Sequence, residues 1–105
     1  MKVFNHYLYE YKKGIRNLVL HTTNEQEKVA IEKKLKMEKI SYYIRQLNGG
    51  KINVFFGDTV CIEIIKQMVN KPLSSLTEEE DFMLGVMLGY DRQKQCERYL
   101  KRKRL

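Results

Sequence analysis

Two strand-like segments joined by Asn48-Gly49-Gly50 constrain the fold of this chain more than any other feature. The segments are Ser41 to Leu47 (SYYIRQL) and Lys51 to Gly57 (KINVFFG). Because asparagine and glycine tolerate positive φ, this arrangement predicts a β-hairpin with a tight turn. Alternation along the second strand places Ile52, Val54 and Phe56 on one face of the sheet and Asn53 and Phe55 on the other.

Around the hairpin, the pattern predicts one more strand and five helices. The strand spans Ile15 to Thr22, because Leu18-Val19-Leu20 is an apolar run typical of a strand covered on both faces. The first helix is predicted from Val3 to Lys13 and ends at Gly14, although Tyr7, Tyr9 and Tyr11 also alternate as in a strand. The other helices are predicted from Thr23 or Asn24 to about Glu38, from Asp58 or Thr59 to about Val69, from the Thr77–Glu80 capping box to a break near Gly89, and from Asp91 to about 104.

The order of elements is therefore α-β-α-β-β-α-α-α. It predicts an α+β fold in which a three-stranded mixed sheet, made of a βαβ unit and the hairpin, is packed with about five helices. With 105 residues, the chain has room for a single domain, 1–105. A three-stranded sheet has two free edges, and the helix at 59–69 is apolar nearly all round. Both features predict a homodimer.

The C-terminal end carries most of the positive charge. The chain has 20 lysine and arginine residues against 13 acidic residues, a formal net charge of +7. Most of this excess lies in residues 94–105, so the rest of the domain is nearly neutral. A local positive field favours encounter with acidic partners, including phosphate backbones, anionic lipids and acidic proteins. The basic residues at this end are Lys94, Arg98, Lys101, Arg102, Lys103 and Arg104.

The composition is that of an ordinary globular protein, with 43% hydrophobic and 31% charged residues. We expect no membrane-spanning helix, because no apolar run approaches the roughly 20 residues that a bilayer requires. Polar residues such as Asn5, His6 and Glu10 interrupt the N-terminal segment, so no signal peptide is expected. Two cysteines do not make a disulfide scaffold. These observations predict a cytoplasmic protein.

Several residues with reactive side chains have a functional and a structural interpretation. Cys61 and Cys96 could form a redox pair or act as nucleophiles, but they are far apart in the sequence, and packing is the preferred interpretation. His6 and His21 could act as an acid–base pair or bind a metal, but no cluster with zinc-ligand spacing accompanies them. We therefore prefer a structural role for both histidines.

The acidic and aromatic residues also have both a functional and a structural interpretation. Glu78-Glu79-Glu80 could bind a metal, but carboxylates at a helix start are explained by the helix dipole. Asp58 follows a strand and opens a helix, where ligands often bind in α/β folds, but an N-cap is the simpler explanation. The seven tyrosines could stack on bases, but Tyr7, Tyr11 and Tyr99 lie at helical positions compatible with a core, and core packing is the preferred interpretation. Tyr42 and Tyr43 point to opposite sheet faces, so one of them could be exposed.

Three stretches of the chain together resemble a known family. They are YEYKKGIRNLVLHT (9–22), INVFFGDTVCIEIIKQ (52–67) and LTEEEDFMLGVMLGYDRQKQCERYL (76–100). They resemble a small bacterial family, the domain of unknown function 2023, over almost the whole chain. The resemblance implies a fold of three strands and five helices that forms homodimers, and it implies no activity or residue roles. It also implies a link to flavodoxins, which are acidic FMN electron carriers, because genes of the family often lie near flavodoxin genes.

Three classes of function fit these observations. The preferred hypothesis is a non-enzymatic homodimeric adaptor that binds an acidic protein, such as a flavodoxin, through its basic helix. Nucleic-acid binding would use the same charges, but no helix-turn-helix, RNA-recognition or zinc-finger signature is present. A small enzyme would require a pocket joining a histidine or cysteine to a carboxylate of shifted pKa. No catalytic, cofactor or metal site is predicted. The residues predicted to contact the partner are Lys94, Arg98, Lys101, Arg102 and Arg104.

Overall fold

The computed structural model describes residues 1–104. It contains the five helices and three strands in the predicted order, which confirms the α+β class. The first helix, rather than the alternative strand, is formed at the N-terminus. The elements are α1 (Lys2–Lys12), β1 (Leu18–Asn24), α2 (Lys28–Met37), β2 (Ser41–Gln46), β3 (Lys51–Gly57), α3 (Thr59–Met68), α4 (Glu78–Met87) and α5 (Arg92–Lys103).

The sheet is entirely antiparallel, so the prediction of a mixed sheet was wrong. Its strand order is β1-β3-β2, and β3 pairs in antiparallel fashion with both neighbours. The helix α2 does connect two strands that run in the same direction, but β3 lies between them. The physical reason is burial: Ile52 to Gly57 are all buried, and the central position covers both faces and both edges of β3.

The hairpin turn has the predicted character. Asn48–Gly50 form a short 3₁₀ turn, and Gly49 and Gly50 both have positive φ, 72° and 71°. The pairing register then sets Tyr43 opposite Phe55 and Arg45 opposite Asn53. Register therefore fixes which β2 side chains reach each face of the sheet.

Helices cover the sheet on both faces. One core contains Val19, Ile52, Val54 and Phe56 from the sheet, packed against α1 and α2. The other contains Leu18 and Phe55, packed against α3 and α4. The fold is therefore a three-layer sandwich with the sheet in the middle.

The helix α3 is not buried on all sides within one chain. Ile62, Ile65 and Met68 are buried against the sheet, whereas Val60 and Ile64 are 67% and 41% exposed. These two residues are one helical turn apart and form an uncovered apolar stripe. Within residues 1–104, no helix combines the length and apolar character needed to cross a membrane.

Candidate docking surface on the last two helices

Local sequence signals position α4 and α5. Thr77 and Glu80 form the predicted capping box: Glu80 N donates to Thr77 Oγ1 at 3.1 Å, and Thr77 N donates to Glu80 Oε1 at 2.9 Å. Gly89 has a φ of 80° at the predicted break between the helices. Asp91 Oδ1 then accepts a hydrogen bond from Lys94 N at 2.9 Å and caps α5. These caps fix where each helix begins.

The acidic first turn of α4 binds the basic end of α5. Arg98 donates two parallel hydrogen bonds to Asp81, from Nε to Oδ2 at 2.8 Å and from Nη2 to Oδ1 at 3.1 Å. Arg102 Nη1 lies 3.0 Å from Asp81 Oδ1. Two residues before Asp81, Glu79 Oε2 lies 2.9 Å from Lys103 Nζ and accepts a hydrogen bond from Tyr99 OH at 2.9 Å. Three of the six basic residues are therefore neutralised within the chain.

The pKa shifts follow from these contacts. The hydrogen bond from Arg98 is the main reason that the pKa of Asp81 lies below its usual value. The hydrogen bond from Lys103, followed by the one from Tyr99, lowers the pKa of Glu79. The same carboxylates raise the pKa of Arg98 and of Lys103. Each shift shows that the charged form of the pair is favoured.

The remaining predicted contact residues, two on α5 and one at its C-cap, make no ion pair with α4. Lys94, Lys101 and Arg104 are exposed. Within residues 1–104, none of them has a carboxylate oxygen within 4 Å. On a helix, Lys94 and Lys101 are separated by two turns and share one side. The structure thus divides the predicted contact residues into an outward cationic face, Lys94, Lys101 and Arg104, and two arginines that bind α4.

This division was missed in the sequence analysis, although a signal for it exists. The two helices are joined by a short connection, so they pack side by side in opposite directions. The first turn of α4 then meets the last turns of α5. An acidic first turn followed by a basic last turn in such a helical hairpin predicts ion pairs between the two helices.

The cysteines and histidines do not form a catalytic group. Cys61 is partly buried, burial raises its pKa, and it packs against the core; Cys96 is exposed on α5. His6 is exposed on α1, 3.8 Å from Glu10. His21 is only 8% exposed and packs against the rings of Phe4 and Tyr7, and burial lowers its pKa.

Asp58 occupies the predicted N-cap position of α3, but its side chain makes a different contact. Its Oδ1 accepts a hydrogen bond from Tyr11 OH at 2.9 Å, and its side chain makes no capping bond. Burial, together with this contact, raises the pKa of Tyr11. Asp58 therefore connects the end of α1 to the start of α3.

The acidic run and the paired tyrosines have structural roles. In the described part of the chain, no group of three histidine, cysteine or acidic residues is placed to hold a metal ion. Tyr42 and Tyr43 are both half-buried, so neither is an exposed stacking platform. The Tyr42 hydroxyl donates to Glu32, and the Tyr43 hydroxyl donates to the Val69 carbonyl.

A cleft of about 670 Å³ lies along the free edge of β1. Its lining includes His21 and Glu27, so a histidine and a carboxylate of lowered pKa share one cleft. Glu27, however, accepts a hydrogen bond from the Thr23 hydroxyl and lies 3.4 Å from the N-terminal amine. The Glu27 carboxylate is therefore engaged by the Thr23 hydroxyl and the N-terminal amine, whereas the histidine packs on aromatic rings.

Comparison with known proteins gives the family but no activity. No curated protein sequence matches the chain. The profile of a family described as a protein of unknown function (DUF2023) matches residues 2–102. That match includes all three strands and nearly all of the five helices. The chain therefore belongs to the DUF2023 family.

Proposed function

We propose that this protein is a non-enzymatic interaction module that binds an acidic protein through the outward cationic face of α5. One observation carries the proposal: Lys94, Lys101 and Arg104 are exposed and have no carboxylate within 4 Å among residues 1–104. Charges already paired within the chain contribute little to a partner's binding, whereas unpaired surface charges speed encounter and orient the complex.

The paired arginines have a supporting role in this proposal. Arg98 and Arg102 hold α5 against α4 through Asp81, so they keep the outward face in a fixed position. A rigid helix presents its charges to a partner at a lower entropic cost than a mobile tail does. The partner we propose is an acidic protein such as a flavodoxin.

The test is a binding titration between this protein and a flavodoxin at two salt concentrations. We expect binding that weakens about tenfold between 50 and 300 mM NaCl. Replacing Lys94, Lys101 and Arg104 by glutamate should weaken binding at least about tenfold. The matched control replaces Lys28, Lys33 and Lys36, three exposed lysines on α2, by glutamate and changes net charge equally. Equal weakening by both variants would show that net charge, rather than this face, governs binding.

The same variants distinguish nucleic-acid binding. A DNA-binding protein would bind a short duplex more tightly than flavodoxin, and log K would fall with log salt by about 0.9 per phosphate contacted. A duplex bound in this way, with flavodoxin not bound at all, would replace the proposed function.

The proposal includes self-association through α3. Val60 and Ile64 form its uncovered apolar stripe, and exposed apolar stripes favour burial in an interface. We expect sedimentation equilibrium to give a dimer mass at micromolar concentration. Replacing both residues by glutamate should give a monomer, whereas the same change at Val29 and Met37, also highly exposed, should not. A monomer mass for the unmodified protein would exclude the dimer.

A further inference from the structure

The outer edge of β1 is open along its backbone. The strand order β1-β3-β2 leaves β1 paired with β3 on one side only. One position before this pairing begins, Asp58 N donates to the Asn17 carbonyl at 2.9 Å. Because backbone groups alternate in direction along an antiparallel ladder, Leu20 and Thr22 turn their N–H and C=O groups away from β3. Among residues 1–104, no backbone hydrogen bond from outside the sheet reaches these two residues.

The cleft of about 670 Å³ along β1 is lined from both faces of the sheet. Phe4 and Tyr7 of α1 line it on one face. Leu20 and Tyr90 line it on the opposite face, where both also border a smaller cleft beside α4. A groove lined from both faces straddles the edge of the sheet, so the outward backbone groups of Leu20 and Thr22 open into it.

The strand β1 lacks the features by which edge strands avoid pairing with other chains. Its sequence, LVLHTTN, contains no proline and no charged residue. All seven residues pair with β3 in one continuous register, so no bulge bends the strand away. Prolines, charged side chains and bulges are the usual protection of a sheet edge. Thr22 is exposed and Leu20 is half-buried, so the middle of this unprotected edge is accessible.

The walls of the cleft are apolar and rise on both sides of the edge. Val3 on α1 is 55% exposed, and Tyr90, which follows α4, is 52% exposed. Exposed apolar side chains gathered in one place mark an interaction site. Because the edge lies between these walls, the cleft admits a single strand, whereas the β1 edge of a second copy is recessed in its own cleft.

The backbone pattern of the edge matches that of an extended peptide. Outward N–H and C=O groups recur at every second residue of β1, about 6.8 Å apart. An extended peptide presents the same groups at the same repeat, and its successive side chains point alternately to the two faces of the sheet. Such a peptide therefore satisfies the backbone of Leu20 and Thr22 while placing apolar side chains against each wall in turn.

We propose that β1 binds an extended, apolar segment of a partner protein as a fourth, antiparallel strand of the sheet. The N–H and C=O groups of Leu20 and Thr22 exchange hydrogen bonds with alternate residues of that segment. Its side chains contact Val3 and Tyr7 on one face and Tyr90 on the other. Main-chain hydrogen bonds supply affinity in this mode of recognition, and the walls supply specificity. The site goes beyond the proposed function, because its residues are not those of the outward cationic face of α5.

The test is amide hydrogen exchange of the ¹⁵N-labelled full chain with and without a peptide. The probe is a synthetic peptide of about ten residues, the length of a long strand, selected against the full chain from a random phage-displayed library. At saturation, we expect exchange of the Leu20 and Thr22 amides to slow at least about tenfold. The His21 amide, which faces β3, should be protected in both states. Tyr42 and Ile44, which face outward at the β2 edge by the same alternation, should stay unprotected.

The other outcomes of this measurement overturn the proposal. They are the absence of any peptide that binds saturably, and protection at the β2 edge or on α5 in place of β1. Protection of the Leu20 and Thr22 amides without peptide, rising with protein concentration, would mean that a second copy covers the edge.

Methylation of the peptide's backbone nitrogens tests the mode of binding. In an added strand, the N–H groups of alternate residues face β1 and those between face solvent. A methyl group moved along the peptide should therefore weaken binding at least about tenfold at every second position and little at the positions between. Equal weakening at consecutive positions would contradict an added strand.

Variants at Thr22 test the edge itself. Thr22→Pro removes one outward N–H, a change that an edge strand tolerates. Thr22→Val is the matched control, because it keeps the N–H and also loses the hydroxyl that donates to Asn53. We expect Thr22→Pro to bind the peptide at least about tenfold more weakly than Thr22→Val. Equal affinity would overturn the proposal. If Thr22→Pro does not fold, the exchange and methylation measurements on the unmodified chain decide the question.

A last variant separates this site from the docking face on α5. Replacing Lys94, Lys101 and Arg104 by glutamate should leave the affinity for the peptide unchanged. A loss of peptide binding in this variant would place the peptide on α5 and overturn the inference, without deciding whether that face binds a flavodoxin.

Discussion

Arg98 of α5 donates two parallel hydrogen bonds to Asp81 of α4, from Nε to Oδ2 at 2.8 Å and from Nη2 to Oδ1 at 3.1 Å. This bidentate geometry is the strongest form of a carboxylate–arginine pair. Arg102 adds a second positive charge to the same carboxylate. Asp81 is therefore the residue that most directly holds the last helix in place.

We first predict that Asp81→Asn destabilises the attachment of α5. The side chain of Asp81 is 21% exposed, so we expect the free energy of unfolding to fall by roughly 1 kcal/mol, the upper range for such pairs. In this variant, hydrogen exchange of the α5 amides should become faster, whereas exchange of the β3 amides should change less. The control is Glu63→Gln, which removes a negative charge from the exposed surface of α3. It should change neither measurement. Equal exchange rates in both variants would show that the pair does not hold α5.

A second prediction concerns the loss of folding stability at low pH. The pKa values of Asp81 and Glu79 are lowered in the folded state, so the unfolded chain takes up protons first as pH falls. Stability from these pairs is present above the ordinary carboxyl values near 4 and is lost as pH falls through the lowered values. When thermal unfolding is followed from pH 6 to pH 2, the Tm of the unmodified protein should decline more steeply than the Tm of the Asp81→Asn variant. Parallel plots of Tm against pH for the two proteins would contradict the assignment of this stability to the ion pairs of Asp81 and Glu79.

Much of the fold could be predicted from the sequence because local signals agree with it. Three features each depend on a few neighbouring residues: the capping box at Thr77, the glycine turn at Gly49 and the end of α4 near Gly89. The strand order could not be predicted in this way, because it depends on where β3 gains the most burial. The pairing of Arg98 with Asp81 was likewise missed, since charge was counted along the chain rather than across two packed helices.

The two histidines provide a third prediction. Burial lowers the pKa of His21, so the folded protein resists its protonation, and stability is lost as pH falls from about 6.5 through the lowered value. Glu27 opposes this shift and the N-terminal amine adds to it. His21→Phe keeps the packing against Phe4 but cannot charge. Its Tm should therefore change less between pH 7.5 and 5.5 than that of the unmodified protein.

The exposed His6 is the matched control for this measurement. It lies on the surface of α1, so His6→Gln should retain the pH dependence of the unmodified protein. If His6→Gln rather than His21→Phe flattened the profile, the buried histidine would not be the titrating group.

A fourth prediction concerns the bond from Tyr11 to Asp58. Tyr11→Phe removes a hydrogen bond between α1 and the start of α3 and should lower the free energy of unfolding by about 1 kcal/mol. Urea unfolding at pH 7 measures the change. Tyr9→Phe removes the same hydroxyl from a residue that is 55% exposed and should have almost no effect. A loss of equal size in both variants would indicate a general effect of the hydroxyl rather than of this contact.

The final prediction is that Gly57 tolerates no side chain. Gly57 has a φ of 152°, and a Cβ placed there would lie 2.2 Å from the carbonyl oxygen of Asn17 and 2.9 Å from the Cα of Leu18. Both atoms are backbone, so relief requires moving β1 away from β3 at the point where the two strands pair. We expect Gly57→Ala to cost about 3 kcal/mol or more, since backbone strain and steric overlap add. Gly14→Ala tests strain alone: its φ is 79° but nothing lies within 4 Å of a Cβ, so the cost should be about 1 kcal/mol. Urea unfolding of the two variants separates the contributions, and equal losses would mean that the close approach of Asn17 does not restrict residue 57.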